Sequence, residues 1–233
     1  MIKKLVISIA LCLVIVSNVF AQIYHDENLF IIIDAEDAQS FKIAQSAALT
    51  AYDFFNGFGY DSRTLITLKI IPAVMYEWAP DKYERVFAYA DQKTGHVYAT
   101  QWSEPWLLES KIFGQQMSLA LYQSILVHEI CHLISNAIAG KILGTAVSEY
   151  ISYSAQIKSL GSTKINKITE RYSNKPIKTR QINSLRLWEN AHLFGVQSYL
   201  HNKESDGFYI GRILKSQFDP DRQLMANLIG RGR

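Results

Sequence analysis

Residues 127–133 read Val-His-Glu-Ile-Cys-His-Leu, in the middle of an apolar segment that runs from about Ile112 to Ile138. A helix that is apolar nearly all round is typical of a buried central position, so we predict a buried helix here. His128 and His132 are four residues apart and therefore project from the same face of that helix. Two imidazoles placed in this way can bind one zinc ion. Glu129 lies beside them, where it can hold a water that zinc activates and take its proton.

Two alternatives apply to the polar residues of this segment. His128 and His132 could be an ordinary polar pair on a core helix, but their apolar neighbours make that costly without a metal or strong partners. Cys131 could be suspected as a ligand. Its helical position points away from the two histidines, so we predict a buried, inert thiol.

A catalytic zinc site usually has a third protein ligand and one open position. Glu149 follows His132 with 16 residues between them, after the break at Gly140 and Gly144. We predict that it lies on a second helix, residues 145–160, which brings its carboxylate against the first. The alternative for Glu149 is a solvated glutamate near a helix start, where acidic residues are common. Glu170 and Glu189 are then the remaining candidates for the third ligand.

The flanking sequence predicts a mixed architecture. Before the central helix, the patterns indicate a buried strand (29–33), an amphipathic helix (37–55), a strand interrupted by Pro72 (65–74), and a hairpin whose arms are 85–90 and 96–102. After it, the polar stretch 161–183 reads as a surface loop or a weak helix, and helical spacing returns over 185–200 and 208–218. We therefore expect an α+β fold with two lobes: an α/β lobe (22–139) containing the central helix, and a helical lobe (140–233) carrying the third ligand.

The first 21 residues read as a secretory signal. Lys3 and Lys4 precede an apolar run that ends at Val19-Phe20-Ala21, which predicts cleavage before Gln22. The alternative is an uncleaved anchor, although the run is short for a bilayer span. We expect an exported protein, periplasmic or secreted, with no membrane association after cleavage. The remaining chain has one cysteine, Cys131, which excludes a disulfide-stapled module.

The charge balance indicates no nucleic-acid partner. The formal net charge is +3 for the full sequence, and loss of Lys3 and Lys4 leaves +1. The sequence also contains no cluster of Lys and Arg residues of the kind that binds nucleic acid. Oligomeric state and substrate sequence have no signature in the chain.

Two blocks of the sequence resemble the gluzincin superfamily of zinc metalloproteases, especially bacterial proteins with a peptidase MA-like domain. Residues 127–133 match its apolar-HExxH-apolar block, and residues 147–153 (Val-Ser-Glu-Tyr-Ile-Ser-Tyr) match its later helix with a Ser-Glu pair. The chain departs from the family where Val147 and Tyr150 replace a frequent Trp and Gly, and where Cys131 replaces a small residue. The resemblance implies a zincin-like fold, with a small mixed sheet and an edge hairpin packed on the active-site helix.

The resemblance also implies an activity and roles for further residues. It implies a peptidase, acting on peptide or protein substrates, that binds one Zn²⁺ per chain through His128, His132 and Glu149 and uses Glu129 as general base. Gluzincins commonly stabilise the oxyanion with a Tyr or His downstream of the third ligand. The candidates in this chain are Tyr153, His192, Tyr199 and His201, with His192 the first choice and Tyr153 the next; an ordinary helix histidine is the alternative for His192.

The resemblance further implies that the strand Val97 to Trp102 is the edge strand that pairs with the substrate backbone; an edge strand with no such role is the alternative. Seven aromatic residues either line a pocket nearby or pack the core and the hairpin: Trp78, Tyr83, Phe87, Tyr89, Tyr98, Trp102 and Trp106.

Two other functional hypotheses remain open. The chain could be an exported protein of the same fold that binds zinc and a partner without hydrolysis, although such a protein has no need of a base at Glu129. It could also be a metal-free domain in which the histidines and glutamates form a polar network in the core. That hypothesis predicts no zinc and no loss of fold in chelator.

Overall fold

The computed structural model describes residues 22–26, 30–172 and 175–218. The predicted signal peptide, residues 1–21, lies outside the described residues. In the part of the chain that is described, no helix is long and apolar enough to cross a membrane.

A five-stranded mixed sheet forms one layer of the fold. The described residues form the following strands, five of which make up this sheet: β1 (Gln22–Asp26), β2 (Ile31–Ala35), β3 (Ile66–Ile71), β4 (Val74–Ala79), β5 (Lys82–Val86), β6 (Ala88–Asp91), β7 (His96–Thr100), β8 (Lys111–Ile112) and β9 (Gln115–Gln116). The main sheet has the order β1-β2-β3-β7-β6, with β2, β3 and β7 parallel and an antiparallel strand at each edge. Two small hairpins, β4-β5 and β8-β9, stand apart from it. The predicted small mixed sheet is confirmed.

The edge strands of this sheet are β1 and β6, so the prediction that residues 97–102 form an edge strand is wrong. β7 lies between β3 and β6, and it pairs in parallel with β3 through Leu68 and Val97. Val97 and Ala99 have no exposed surface, because they face the core beneath the sheet. The hairpin was predicted, but its first arm is Ala88–Asp91 and not 85–90, because Arg85 and Val86 belong to β5. The choice of edge depends on the pairing with β3, which is distant in sequence.

The helices cover one face of the sheet and form the second half of the chain. They are α1 (Ala38–Asn56), α2 (Pro105–Glu109), α3 (Leu119–Ala139), α4 (Thr145–Lys158), α5 (Ser162–Tyr172), α6 (Ser184–Glu189), α7 (Ala191–Glu204) and α8 (Phe208–Leu214), with a 3₁₀ turn at Thr179–Gln181. Helix α1 begins as predicted, because the Asp37 carboxylate accepts a hydrogen bond from the Ser40 N–H at 2.7 Å. The α+β class is confirmed.

The central helix α3 is shorter than predicted at its N-terminus. Residues 111–116 form the β8-β9 hairpin, whose turn residues Phe113 and Gly114 have positive φ values of 50° and 66°. Ser118 then caps the helix by accepting a hydrogen bond from the Leu121 N–H. The helix ends at Gly140, which takes the left-handed conformation (φ 64°) that suits glycine. The apolar run therefore predicted the helix, and local turn chemistry determined where it begins.

The helical second half agrees with one open alternative and differs from the prediction in one place. Residues 161–183 were predicted to be a surface loop or a weak helix, and they contain a helix, α5. The helix predicted over 185–200 is two helices, because Asn190 has an extended backbone and its side chain accepts a hydrogen bond from the Leu193 N–H, which starts α7.

One connected cluster of buried hydrophobic residues extends from Ile31 in the sheet to Phe218 after α8. Helix α3 lies at its centre and packs against α1, α4 and the sheet. The predicted burial of Cys131 is confirmed: the thiol has no exposed surface, and burial raises its pKa. The division into lobes at residues 139 and 140 stays a prediction.

Candidate metal centre

Helix α3 presents His128 and His132 on the face that meets α4. Their Nε2 atoms lie 3.1 Å apart, as expected for residues separated by one helical turn. Each residue is 7% exposed, so both imidazoles are nearly removed from water. A pair of imidazoles at this depth needs partners that use the ring nitrogens.

Helix α4 supplies the partner, Glu149. Its Oε2 is 3.2 Å from Nε2 of His128, and its Oε1 is 3.5 Å from Nε2 of His132. Among the described residues, these three form the one group of His, Cys, Asp or Glu side chains that could hold a metal ion, with all ligand atoms within 4.8 Å of one another. The loop between Gly140 and Gly144 reverses the chain so that α4 packs against α3.

The alternative third ligands lie elsewhere. Glu170 is exposed on α5. Glu189 is half exposed at the end of α6, where it forms an ion pair with Arg186 at 2.7 Å. Neither belongs to the group that could hold a metal.

A second residue of α4, Ser148, fixes the orientation of His132. The Ser148 hydroxyl lies 2.7 Å from Nδ1 of His132, so the other nitrogen, Nε2, faces His128 and Glu149. Metal-binding histidines characteristically use the second ring nitrogen in such a contact. Ser148 is the serine of the Ser-Glu pair in residues 147–153, but its contact with His132 was not predicted from the sequence.

Burial and the interactions among these three side chains determine the protonation state of each. Burial opposes ionisation of Glu149, but the two imidazoles and the hydrogen bond from His128 outweigh it and hold its pKa at about 2. Burial lowers the pKa of His132 to about 4. Burial also opposes the charge of His128, but there the Glu149 carboxylate outweighs it and raises the pKa. A carboxylate that stays ionised beside a neutral imidazole suits metal binding, because ligands must be deprotonated.

Glu129 lies beside this group without belonging to it. Burial, with the nearby Glu149 charge, raises its pKa to about 7, although His128 and a hydrogen bond from the Ala90 backbone N–H act in the other direction. Ala90 is on the edge strand β6. The carboxylate is therefore positioned between the metal-binding group and the edge of the sheet.

Two recesses meet at Glu129. The first recess, about 300 Å³, runs along the His128 side and is bordered by Phe87, Ala88, Tyr153 and Gln156. The second recess, about 360 Å³, runs along the His132 side and is bordered by Tyr76, Tyr89, Ala90 and Ser148. Residues of β6 border both recesses, so the open edge of the sheet passes along the whole site.

Of the predicted oxyanion donors, Tyr153 lies in the site. It follows Glu149 by one turn of α4, lines the first recess, and its ring packs edge-on against His128 with centroids 4.6 Å apart. Burial raises the pKa of Tyr153, with the Glu149 and Glu129 charges adding to it, so the phenol keeps its proton and can donate it in a hydrogen bond.

The other candidates contact different parts of the molecule. His192 packs against the Phe113 ring and lies 3.3 Å from the Tyr172 hydroxyl through Nδ1, and it lines neither recess. Both ring nitrogens of His201 have partners, the hydroxyls of Tyr150 and Thr179. Tyr199 is buried on α7. The role predicted for His192 therefore stays a prediction without a contact to the metal-binding group.

Gly195 on α7 makes room for the Tyr153 ring. A Cβ at this position would lie 2.6 Å from Cδ1 and 2.7 Å from Cγ of Tyr153. We expect Gly195→Ala to displace the ring and lower the free energy of unfolding by about 1–3 kcal/mol, measured by denaturant titration. The matched control is Gly211→Ala on α8, where a Cβ would be 3.7 Å from the Tyr60 hydroxyl, and where we expect a neutral or stabilising change. Equal effects of the two substitutions would contradict the packing of Tyr153 described above.

A protein-family model matches most of the chain. The model of a family of unknown function, DUF6639, matches residues 31–223, which include the whole candidate metal centre. No curated protein and no solved structure matches the chain significantly.

Proposed function

We propose that this chain, which belongs to the DUF6639 family, is an exported zinc-dependent metallopeptidase of the gluzincin type. The observation that carries the proposal is the position of Glu129, a carboxylate with a raised pKa held directly beside a group of two histidines and a glutamate. A metal-binding domain without hydrolytic chemistry has no use for a base at that point.

The spacing of the three side chains fits zinc. In a tetrahedral site with bonds of about 2.0–2.1 Å, two ligand atoms lie roughly 3.4 Å apart. The separations among the two Nε2 atoms and the Glu149 oxygens are 3.1, 3.2 and 3.5 Å. Two histidines and one glutamate also form a known ligand set of catalytic zinc, which leaves a fourth position for water or substrate.

Each residue of the site has a separate role in the proposed reaction. A bound zinc would supply polarisation of the scissile carbonyl and of a water. Glu129 takes the proton of the attacking water and passes it to the leaving amine, from a position where both recesses meet beside the metal-binding group. The protonated Tyr153 hydroxyl, on the same face of α4 as Glu149, is the proposed donor to the developing oxyanion.

The edge strand β6 is the proposed binding track for an extended peptide. Phe87 accepts a hydrogen bond from Thr100 at 2.8 Å, and Asp91 accepts one from Gly95 at 3.0 Å. In an antiparallel pair the hydrogen-bonded residues alternate, so Ala88 and Ala90 direct their backbone groups towards the open edge. The hydrogen bond from the Ala90 N–H to Glu129 agrees with this direction. A peptide paired along this edge would pass both recesses, and one of its peptide bonds would lie beside Glu129.

Ala88→Pro tests this track, because it removes one outward N–H from a position where an edge strand tolerates proline. We expect the KM for peptides to rise by roughly 3–10-fold, the value of one lost hydrogen bond, with zinc content unchanged. Ala88→Ser keeps the N–H and should behave like the wild type. An unchanged KM in the proline variant would contradict backbone pairing at Ala88.

The proposed activity itself is tested with quenched fluorescent peptides of mixed sequence. We expect the chain from Gln22 onward to cleave some of them after addition of one equivalent of zinc, and to lose that activity in a chelator. Zinc binding with no cleavage in a broad mixture would contradict the peptidase and support the non-hydrolytic zinc-binding protein instead.

A further inference from the structure

The two histidines of the candidate metal centre differ in the hydrogen-bond partners of their Nδ1 atoms. Nδ1 of His132 has the Ser148 hydroxyl at 2.7 Å. Nδ1 of His128 is buried, and no described residue makes a hydrogen bond with it. An imidazole whose Nδ1 is left alone can present either tautomer at Nε2, so its metal-binding nitrogen is less well defined.

Gln156 is a buried polar side chain that lines the same recess as His128. It lies on α4 seven residues after Glu149, two helical turns along the same face, and it lines the first recess together with His128 and Tyr153. It is 2% exposed, so its amide is withdrawn from water and needs a partner of its own.

The chemistry of a metal ligand identifies which end of the amide suits the ring. When Nε2 of His128 offers its lone pair to a metal, the ring proton is on Nδ1, so the partner of Nδ1 has to be a hydrogen-bond acceptor. The acceptor of the Gln156 side chain is its amide oxygen. Because Nε2 faces Glu149 and His132, the nitrogen available to this oxygen is Nδ1.

We propose that Gln156 is a positioning residue of the metal centre: in the metal-bound protein its Oε1 accepts a hydrogen bond from Nδ1–H of His128 and so keeps the Nε2 lone pair directed at the metal. This inference rests on the metal site of the proposed function and extends it to a residue outside the ligand set. Helix α4 then supplies one ligand, Glu149, and the partners of both histidines, Ser148 for His132 and Gln156 for His128. Such partners fix the ring orientation of a ligand and increase its basicity.

The test compares Gln156→Met with Gln156→Glu. Methionine has a similar length and removes the acceptor, and we expect zinc and cobalt affinities, measured by competition with a chromophoric chelator, to fall by about 10–100-fold. Glutamate keeps an acceptor and should bind both metals at least as tightly as the wild type. The matched control is Gln115→Met: this half-buried glutamine contacts the Lys164 carbonyl and lies outside both recesses, so its loss should leave metal affinity unchanged.

A second measurement separates positioning from general stability. In nitrogen-resolved NMR of the zinc-loaded wild type, we expect a slowly exchanging Nδ1–H signal from His128, which moves upfield or exchanges away in Gln156→Met and returns in Gln156→Glu. If the methionine variant does not fold, the glutamate variant decides, because a charged acceptor must shift this signal downfield.

The outcomes are distinguishable. Wild-type zinc affinity with an unchanged Nδ1–H signal in Gln156→Met, or an unshifted signal in Gln156→Glu, would overturn the role of Gln156 and leave the metallopeptidase intact. A wild-type chain that binds neither zinc nor cobalt would overturn both.

Discussion

Replacing Glu129 with glutamine should abolish peptide hydrolysis while metal binding stays intact. The substitution preserves the size of the side chain and removes the base that lies between the metal-binding group and the edge strand. Loss of a positioned general base typically lowers the rate by about 10²–10⁴-fold, so kcat should fall within that range or below detection. Zinc content, measured by atomic absorption on the same sample, should equal that of the wild type, because Glu129 is not in the ligand group.

The matched control for this substitution is Glu170→Gln. Glu170 is an exposed residue of α5 and makes no contribution to the site as the structure describes it, so kcat and KM should both stay at wild-type values. Full activity in Glu129→Gln would remove the base from the mechanism, and loss of zinc in that variant would mean that Glu129 is itself a ligand.

Glu149→Ala should produce the largest change in metal affinity. It removes one of three ligands and leaves two buried imidazoles without the carboxylate that faces both of them. Since loss of a residue that only supports a ligand already costs 10–100-fold, loss of the ligand itself should weaken zinc binding by more than about 100-fold. The measurement is a competition titration against a chelator of known affinity.

Thermal unfolding provides an independent test of zinc binding by the same variant. A ligand present at about 1,000 times its dissociation constant stabilises the folded state by roughly 4 kcal/mol, so added zinc should raise the Tm of the wild type. The rise should disappear in Glu149→Ala and persist in Glu189→Ala, whose carboxylate pairs with Arg186 on the surface. Zinc binding retained in Glu149→Ala would contradict the assignment of Glu149 as the third ligand.

The sequence was most informative where short-range periodicity determines position. The separation of His128 from His132 by one helical turn predicts that their rings meet, and the glycines at 140 and 144 predict the reversal that brings Glu149 to them. The structure brings these three side chains together. Helical spacing is a local property, and each of these inferences needed only one helix or one turn.

The sequence was less informative where position depends on distant pairing. Nothing local in β7 reveals that it pairs with β3 and leaves β6 at the edge. The hydrogen bond from Ala90 to Glu129 follows from that pairing, so it could not be predicted from the local sequence either. Ser148 and Gln156 were within a helix that the sequence did predict, but their contacts depend on how α4 rotates against α3. No solved structure matches the chain, so the zincin-like fold stays a prediction.

The central claim is that zinc bound by His128, His132 and Glu149 makes this chain a peptidase. The most direct measurement is a zinc titration of the metal-free chain in which bound zinc and peptide cleavage are followed in the same samples, for the wild type and for Glu129→Gln. We predict that cleavage by the wild type rises in proportion to bound zinc and stops rising at one zinc per chain, while Glu129→Gln binds the same amount and cleaves nothing. Cleavage that is independent of zinc, or a wild type that binds no zinc, would contradict the claim.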